Sequence, residues 1–447
     1  MTPPTKEPSH RSQVRTVLTV GLLSGLAGSA MLAQDTVLAY YFGTSSAVDA
    51  YQLSLSVPSL LVNVLAGGAL LAVLVPEFTR LTHDHAQREI ATLIQYARQS
   101  LGALLAATAL AWPIVYAILQ ETSTIDIITQ PHPITNHLIW LMAPILFFVG
   151  ATSIETAYLN SQRRFFITST FAAFAPTGAI IFTILFSKTL HLYAPAIGAL
   201  CGTICQWLLS RHLTRTLRRK ATREARPAIS ASVGRHYLLN VLSSATLAGI
   251  VFTDIVLAST RLPGELSTYS YATRPVILLL AFLTVSIGNV SLPIFSHLAA
   301  SGNREALAHQ FRRWLFITAG ISLIFLMTWA SNCTAVVSIL FERGAFQGTD
   351  VASVTEVQTV YLFQLPFYMA AIIGMRLLNA LSLHRSLAFI NFFAFIINLA
   401  FDRWLTPFMG LKGIALGTVA AFAVWALLIV GFGLRVTRPQ LDSMETE

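Results

Sequence analysis

Lysine and arginine residues crowd into every second polar gap between long apolar stretches, and this alternation constrains the fold more than any other feature of the chain. Twelve apolar stretches are long enough to cross a bilayer as helices, which takes about 20 residues each. The approximate predicted spans are 17–42, 47–78, 91–119, 134–159, 165–187, 193–214, 236–259, 267–297, 311–331, 352–379, 385–407 and 411–434. The predicted fold class is therefore an all-α polytopic membrane protein with about 12 transmembrane helices.

The composition supports the same fold class. Of the 447 residues, 55% are hydrophobic and 11% are charged, whereas soluble domains carry about 25% charged residues. A surface with so few charges must face lipid over much of its area. The net charge of +9 could suggest nucleic acid, but the basic residues lie in short loops where they act as topology signals. We expect no nucleic-acid partner.

Loop charge also predicts the orientation of the chain. Basic side chains mark the cytoplasmic loops of multi-pass membrane proteins. One set of alternating loops holds 23 of the 29 Lys and Arg residues, the other set holds five, and Arg274 lies within a span. We predict a multi-pass protein of the bacterial cytoplasmic (inner) membrane with both termini in the cytoplasm.

The widest basic loop divides the predicted spans into two groups of six. We predict a cytoplasmic N-terminal tail, an N-terminal six-helix lobe, a basic cytoplasmic linker, a C-terminal six-helix lobe and a cytoplasmic C-terminal tail. Their bounds are 1–16, 17–214, 215–235, 236–434 and 435–447. Proline pairs at equal spacing, Pro58 with Pro76 and Pro275 with Pro293, suggest a parallel repeat around a central cavity. In each pair the first proline should kink its helix, and the second should mark the cytoplasmic exit.

Charged residues within the spans are the best pointers to function, because burying them unpaired in a bilayer is costly. In a cavity, the Arg274 guanidinium would bind a phosphate through two hydrogen bonds. The competing interpretation is a structural ion pair with Asp35 or Asp254. These two acids would serve either as charge partners or as ligands for a coupling cation or proton. Asp49, near the predicted start of span 2, is expected to cap that helix.

Motifs of soluble enzymes do not occur in the sequence. It has no P-loop, dinucleotide fingerprint, HExxH or Cys-x-x-Cys. We predict that the protein is not an enzyme and has neither a cofactor nor a metal site. Without an ATP-binding motif, active transport would draw on a Na⁺ or H⁺ gradient, the membrane potential or the flow of substrate.

Several short motifs resemble one known family of membrane proteins. The run Ile339–Phe346 resembles the signature of the MurJ/MviN lipid II flippases, within the multidrug/oligosaccharidyl-lipid/polysaccharide exporter superfamily. The signature residues are Phe341, Glu342, Arg343 and Gly344. Weaker matches follow in the same order as in the family: Phe42-Gly43 with Asp49-Ala50-Tyr51, Leu159-Asn160 with Arg164-Phe165, Phe174–Thr177, and Leu292-Pro293 with Ser301-Gly302-Asn303.

The resemblance implies two six-helix lobes around a V-shaped cavity, alternating access, and a lipid-linked glycan pyrophosphate as cargo. Lipid II, for peptidoglycan synthesis, is the default cargo. Membrane lipids and cell-wall or polysaccharide synthesis proteins would be the partners. By the same resemblance, Arg274 matches a cavity arginine, Asp49 a family aspartate, and Asp35 the acid of an Arg-Asp pair.

The chain departs from the family where the family carries basic residues. Gln34 replaces the arginine of the Arg-Asp pair, Gly28 roughly replaces another arginine, and Asn63 replaces a basic residue in span 2. Gln34 and Asn63 therefore join Arg274 as the candidate substrate-binding residues, with less positive charge than the family pattern implies. Typical members also carry two further C-terminal helices after the twelfth span, where this sequence ends at Glu447.

Three functional hypotheses follow. The first is a flippase for a polyprenyl-pyrophosphate-linked glycan, with lipid II as the default and a surface polysaccharide repeat unit as the close alternative. The second is an ion-coupled multidrug exporter, favoured by a cavity with more acids than arginines. The third is a non-transporting scaffold for cell-wall or polysaccharide synthesis, for which cavity mutations would leave the phenotype unchanged.

Overall fold

A computed structural model describes residues 25, 28–66, 70, 74–75, 77–79, 81, 87–122, 134–162, 164–215 and 231–437. Across these residues the backbone is helical, with short turns and no strand. The all-α fold class predicted from the sequence is confirmed. The predicted terminal tail 1–16, most of the linker 215–235 and Pro76 lie outside the described residues. Helix begins again at Ala231, inside the predicted linker.

The helices are numbered in chain order over the described residues. The N-terminal half contains α1 (28–42), α2 (Ser46–Leu61) with a π-helical continuation (Val62–Ala66), α3 (Gln87–Thr122), α4 (Thr135–Ser161), α5 (Phe165–Phe171), α6 (Phe174–Leu190) and α7 (Tyr193–Leu213). The C-terminal half contains α8 (Ala231–Ser259), α9 (Glu265–Ala300), α10 (Arg304–Ser331), α11 (Cys333–Phe341), α12 (Gly348–Leu362), α13 (Gln364–Ala380), α14 (His384–Met409) and α15 (Leu411–Val436).

Eight helical stretches in the described part of the chain are long and apolar enough to cross a bilayer. They coincide with predicted spans 2, 4, 5, 8, 9, 10, 11 and 12. Helices α1, α3, α7 and α8 occupy the other four predicted spans. The chain is therefore a multi-pass membrane protein, and about 12 spans fit its helices.

The helices differ from the predicted spans in a few places. Span 5 is divided into α5 and α6, and span 10 into α12 and α13. Pro58 lies within α2, and the regular α-helix gives way to the π-helical segment four residues later, as expected where a proline removes a backbone donor. Pro293 does not end its helix, because α9 continues to Ala300.

Contacts between helices fall into two groups. In the first half, α6 packs on α7, and α4 packs on α2, α3 and α7. In the second half, α14 packs on α8 and α15, and α13 packs on α9, α10 and α15. The two groups meet where α2 and its π-helical segment contact α8, and where α2 contacts α9. This junction between the halves places the candidate functional residues.

Candidate functional site

Arg274 and Asp35 form an ion pair across the junction between the two halves. The Arg274 Nε atom of α9 lies 2.9 Å from Oδ2 of Asp35 on α1. The Arg274 Nη2 atom also donates to Oε1 of Gln52 on α2, at 3.4 Å. The Asp35 side chain is 5% exposed and the Arg274 side chain 30% exposed. Asp35 is thus neutralised, while the guanidinium keeps one accessible side.

Arg274 also borders a cavity of about 420 Å³ that lies between α1, α5 and α9. The α9 residues of its wall run from Arg274 to Ser286, so the guanidinium stands at one end of the cavity. Hydroxyl groups of Thr168, Ser169 and Ser286 are the other polar side chains of the wall. Most of the wall is apolar and includes Met31, Leu32, Ile277, Leu278, Ala281 and Phe282. An amphipathic ligand with one anionic end suits this lining.

Gly25 and Gly28, the latter at the start of α1, shape the same cavity. A Cβ at Gly25 would meet open space, so this residue widens the cavity. A Cβ at Gly28 would overlap the Leu278 side chain of α9, which would have to move. The position where the family resemblance places an arginine is therefore occupied by a close contact between α1 and α9.

The other candidate substrate-binding residues lie outside this cavity wall. Gln34 points toward α2, where its Nε2 donates to the Tyr51 hydroxyl at 3.0 Å. Tyr51 lies beside the Asp35–Arg274 pair, so Gln34 belongs to the polar junction. Asn63 lies in the π-helical segment with an exposed side chain. Among the described residues that line the cavity, neither Gln34 nor Asn63 is present.

Asp49 caps a helix, but not the one predicted. The N-terminus of α2 is capped by Ser45, whose side chain accepts from the Val48 backbone at 3.4 Å. The Asp49 carboxylate instead accepts from the backbone N–H groups of Gly264 and Ser267, at 2.6 and 2.7 Å. It therefore caps α9, which belongs to the other half, and the expected cap on its own helix is wrong.

The family-signature residues lie at the same junction, on the predicted outer side. Phe341 ends α11 and is fully buried, with its ring 5.3 Å from that of Tyr271 and 5.8 Å from that of Phe346. Glu342 and Arg343 are exposed, and Arg343 Nη2 donates to the Ile339 carbonyl at 2.8 Å. These residues build a turn rather than line the cavity.

This turn contacts the chain segment between α1 and α2. The Ala345 N–H donates to the Tyr40 carbonyl at 2.8 Å, and Thr44 Oγ1 donates to Asp350 Oδ1 at 2.5 Å. Gly344 has φ of +62°, and a Cβ there would overlap the Tyr40 carbonyl oxygen. These contacts and the Asp49 cap on α9 together are named the outer clasp. The residues of the outer clasp are Tyr40, Thr44, Asp49, Gly264, Ser267, Ala345 and Asp350.

A second polar site lies inside the C-terminal half. Asp254 on α8 accepts from the hydroxyls of Tyr269 and Thr418, both at 2.7 Å, and from Asn398 Nδ2 at 3.3 Å. Asp254 is therefore not the partner of Arg274. Asp402 on α14 faces the same cluster and is 0% exposed. Neither of its carboxylate oxygens has a hydrogen-bond partner among the described residues.

Two buried carboxylates at such close quarters cannot both stay charged and uncompensated, so a proton or a cation is needed between them. Four side chains offer oxygen to a cation here: Asp254, Asn398, Asp402 and Thr418. Sequence reasoning missed Asp402. The available signal was its spacing of four residues from Asn398, which places both on one face of a helix.

Together these features define a class of protein: a multi-pass helical membrane protein whose halves meet at a charge-paired junction beside an apolar cavity. Comparison with known proteins narrows this class. A sequence model described as "Lipid II flippase MurJ" matches residues 38–442. Because this match covers most of the chain, the chain belongs to the lipid II flippase MurJ family, as the motifs predicted.

Individual proteins agree with this assignment. The "Probable lipid II flippase MurJ" of Aquifex aeolicus (strain VF5) is 23% identical over 347 residues, which are 75% of this chain and 66% of the relative. A structure titled "Lipid II flippase MurJ, inward closed conformation" has a TM-score of 0.78 at 19% identity, covering 93% and 87% of the two chains. An inward-facing multidrug resistance MATE family transporter of the MOP superfamily has a TM-score of 0.75 at 10% identity, covering 93% and 98%. The two structures show a shared fold.

Proposed function

We propose that this protein is a flippase that moves a polyprenyl-pyrophosphate-linked glycan across the bacterial cytoplasmic membrane by alternating access. Its family makes lipid II, the precursor for peptidoglycan synthesis, the default cargo. The observation that carries the proposal is the position of Arg274: a partly exposed guanidinium at one end of an apolar cavity between the two halves. Transport of this kind needs no covalent chemistry.

The geometry suggests how the cargo would be held. A guanidinium matches the paired oxygens of a phosphate, and a low-dielectric cavity strengthens each charged hydrogen bond. Asp35 positions Arg274 through the ion pair but leaves part of its donor set open. The pyrophosphate would bind there, glycan hydroxyls would contact Thr168, Ser169 and Ser286, and the polyprenyl chain would stay in lipid.

The outer clasp is the part of the junction that would open and close during alternating access. In the described arrangement, hydrogen bonds from both halves close the junction on its predicted outer side. Cargo would reach the junction from the cytoplasmic side, and release outside would require these bonds to break. This proposal adopts the orientation predicted from loop charge, with both termini in the cytoplasm. It also includes cell-wall or polysaccharide synthesis proteins as partners.

Coupling to a Na⁺ or H⁺ gradient is the second part of the proposal. Asp254 and Asp402 form a fully buried acidic pair with Asn398 and Thr418 beside it. Carboxylate, amide and hydroxyl oxygens are ligands that a hard cation prefers, and a proton would relieve the same repulsion. Since three different helices supply these groups, occupancy would bias how α8, α14 and α15 pack.

The test is complementation of cells depleted of their essential lipid II flippase, with lipid II translocation measured directly. We expect R274A to abolish translocation and R274K to retain a fraction of it, because lysine keeps the charge but loses the paired donors. The control is R261A, which removes a partly exposed arginine that pairs with Glu265 outside the cavity. Full complementation by R274A would remove this residue from the mechanism.

A second candidate function is ion-coupled export of small amphipathic cations. The buried acidic pair favours it, as does a cavity wall with one described arginine. Proton- or sodium-dependent dye efflux, lost in D254N and retained in R274A, is the result expected of an exporter. If the wild type is stable and inserted but does not complement, a surface polysaccharide repeat unit becomes the leading cargo. A scaffold predicts that no cavity variant changes the phenotype.

A further inference from the structure

Arg376 lies within α13, four residues before that helix ends at Ala380. Its side chain is half-buried, and α13 packs on α9. The Nε atom is shielded from solvent and has no hydrogen-bond partner among the described residues. Burying the Nε–H donor without a partner is costly unless something else pairs with it.

The guanidinium lies directly on the backbone of Gly288 in α9. A Cβ at this position would lie 2.6 Å from Arg376 Nη2, 2.7 Å from Nε and 2.9 Å from Cζ. Any side chain at position 288 would therefore displace the guanidinium. The absence of a side chain at Gly288 creates a seat for Arg376 against α9.

Two further polar side chains of α9 lie on the same face of the helix as Gly288. Thr284 and Ser291 lie four residues before and three residues after Gly288, so all three share one face of the helix. In the part of the chain that the structure describes, the hydroxyl oxygens of Thr284 and Ser291 are buried without a hydrogen-bond partner, although the Tyr368 side chain of α13 lies near Thr284. One charged donor and two hydroxyls make a donor set that fits an oxyanion.

We infer that Arg376, seated on Gly288 between α9 and α13, forms a second phosphate-binding station in addition to Arg274. Its ligand class is a lipid phosphate or pyrophosphate, from either the cargo or a phospholipid headgroup of the cytoplasmic leaflet. Assigning the phosphate to the cargo rests on the proposed function. The guanidinium would donate through the planar fork that Arg offers to phosphate, and the hydroxyls of Thr284 and Ser291 would be its secondary donors.

The position of the station on α9 suggests its role. Gly288 follows Arg274 by 14 residues, which corresponds to about 21 Å along a helix. The hydrocarbon core of a bilayer is about 30 Å thick. Arg376 thus lies toward the predicted cytoplasmic side, where a phosphate headgroup would arrive first, and Arg274 lies deeper along the same helix.

The experiment measures binding of farnesyl pyrophosphate to the full-length chain in phosphatidylcholine nanodiscs, with farnesol as the matched ligand without phosphates. An R274Q background isolates the second station. We expect R274Q to retain phosphate-dependent binding and R274Q/R376Q to lose about tenfold or more of that affinity. The control is R274Q/R385Q, which removes an exposed arginine from the same side. A parallel series in nanodiscs with phosphatidylglycerol, without farnesyl pyrophosphate, measures how many phosphatidylglycerol molecules are retained.

Loss of farnesyl pyrophosphate binding in R274Q/R376Q supports a cargo station, and loss of phosphatidylglycerol retention supports a headgroup station. If R376Q changes neither farnesyl pyrophosphate binding nor phosphatidylglycerol retention, the inference is overturned. If R274Q alone removes all pyrophosphate binding, the proposed function stands and the cargo station fails. If the wild type binds no pyrophosphate, both fail. Should R376Q be unfolded by its melting curve, R376K replaces it, with a smaller loss expected because it keeps the charge without the planar fork.

Discussion

Asp402 is the residue whose surroundings most require a bound cation or proton. Its carboxylate is fully buried beside Asp254, and both oxygens lack partners among the described residues. If a cation occupies this site, Na⁺ should stabilise the wild type, by about 2.7 kcal/mol at a hundredfold excess over its Kd. We expect the melting temperature of the wild type to rise in NaCl relative to choline chloride, and that of D402N to respond little.

The control for this prediction is E356Q. Glu356 is an exposed acid that pairs with Lys412, and such surface pairs contribute little to stability, so its Na⁺ response should match that of the wild type. An undiminished Na⁺ response in D402N would contradict the assignment of Asp402 to the cation site.

Gly417 tests the same site from the opposite helix. A Cβ at Gly417 of α15 would overlap the Asp402 carboxylate, so G417A should displace that carboxylate. Overpacking of this kind usually costs about 1–3 kcal/mol, and we expect a lower melting temperature and a weaker Na⁺ response. Gly431 on the same helix has open space, and G431A should be neutral or stabilising. Equal melting temperatures for the two variants would refute the close packing.

Residue-level prediction from the sequence succeeded where local chemistry left few choices. An ion pair of Arg274 was the competing interpretation to phosphate binding, and Asp35 was one of the two acids named as its partner. It failed where the partner depends on packing between distant segments. Asp49 follows the start of α2 closely enough to suggest a local cap, yet the backbone donors that it meets are 215 and 218 residues away. Asp402 was missed although it lies within predicted span 385–407, because the sequence does not show that Asp254 of another helix packs against it.

At the scale of one element, α9 depends on a residue from the other half for its N-terminal cap. Replacing Asp49 by Asn leaves one oxygen to accept two backbone bonds, and a lost charged hydrogen bond costs about 1.5–3 kcal/mol. We expect D49N to shift the population toward an open outer junction by about tenfold or more. The measurement is the distance distribution between spin labels at H191C and L262C, which replace exposed residues of different halves.

S45A is the matched control for the cap. Ser45 caps α2 within its own half, so its loss should lower the melting temperature without lengthening the distance between the labels. A D49N distribution identical to that of the wild type would mean that the cap does not hold the halves together.

Helix boundaries show what hydrophobic patterns can and cannot specify. The apolar runs correctly located the helices, because a span needs a minimum length of apolar residues. They did not reveal the divisions between α5 and α6 or between α12 and α13, because both partners of each pair stay apolar across the break. The short helix α11 was missed for a different reason: it is too short to span, and it orients the Phe341 turn.

Over the described residues, the molecule is two helical groups joined at a junction whose predicted outer side is closed by the outer clasp. The apolar stretches predict about 12 spans and loop charge predicts their direction, since both depend on composition along the chain. It could not predict which conformation the halves adopt. That depends on a few bonds between the α1–α2 segment and the turn after α11, such as Ala345 to Tyr40 and Thr44 to Asp350.

A cross-link through the clasp tests whether opening is part of transport. Thr44 and Asp350 side chains meet at 2.5 Å across the two halves, so T44C/D350C in a cysteine-free background should cross-link on oxidation. We expect translocation to stop when the bond forms and to return on reduction, because alternating access requires the outer junction to part. The matched pair R261C/E265C lies within one half and should cross-link without effect. Full translocation by the T44C/D350C disulfide would show that cargo passes without opening the clasp, and would overturn alternating access at this junction.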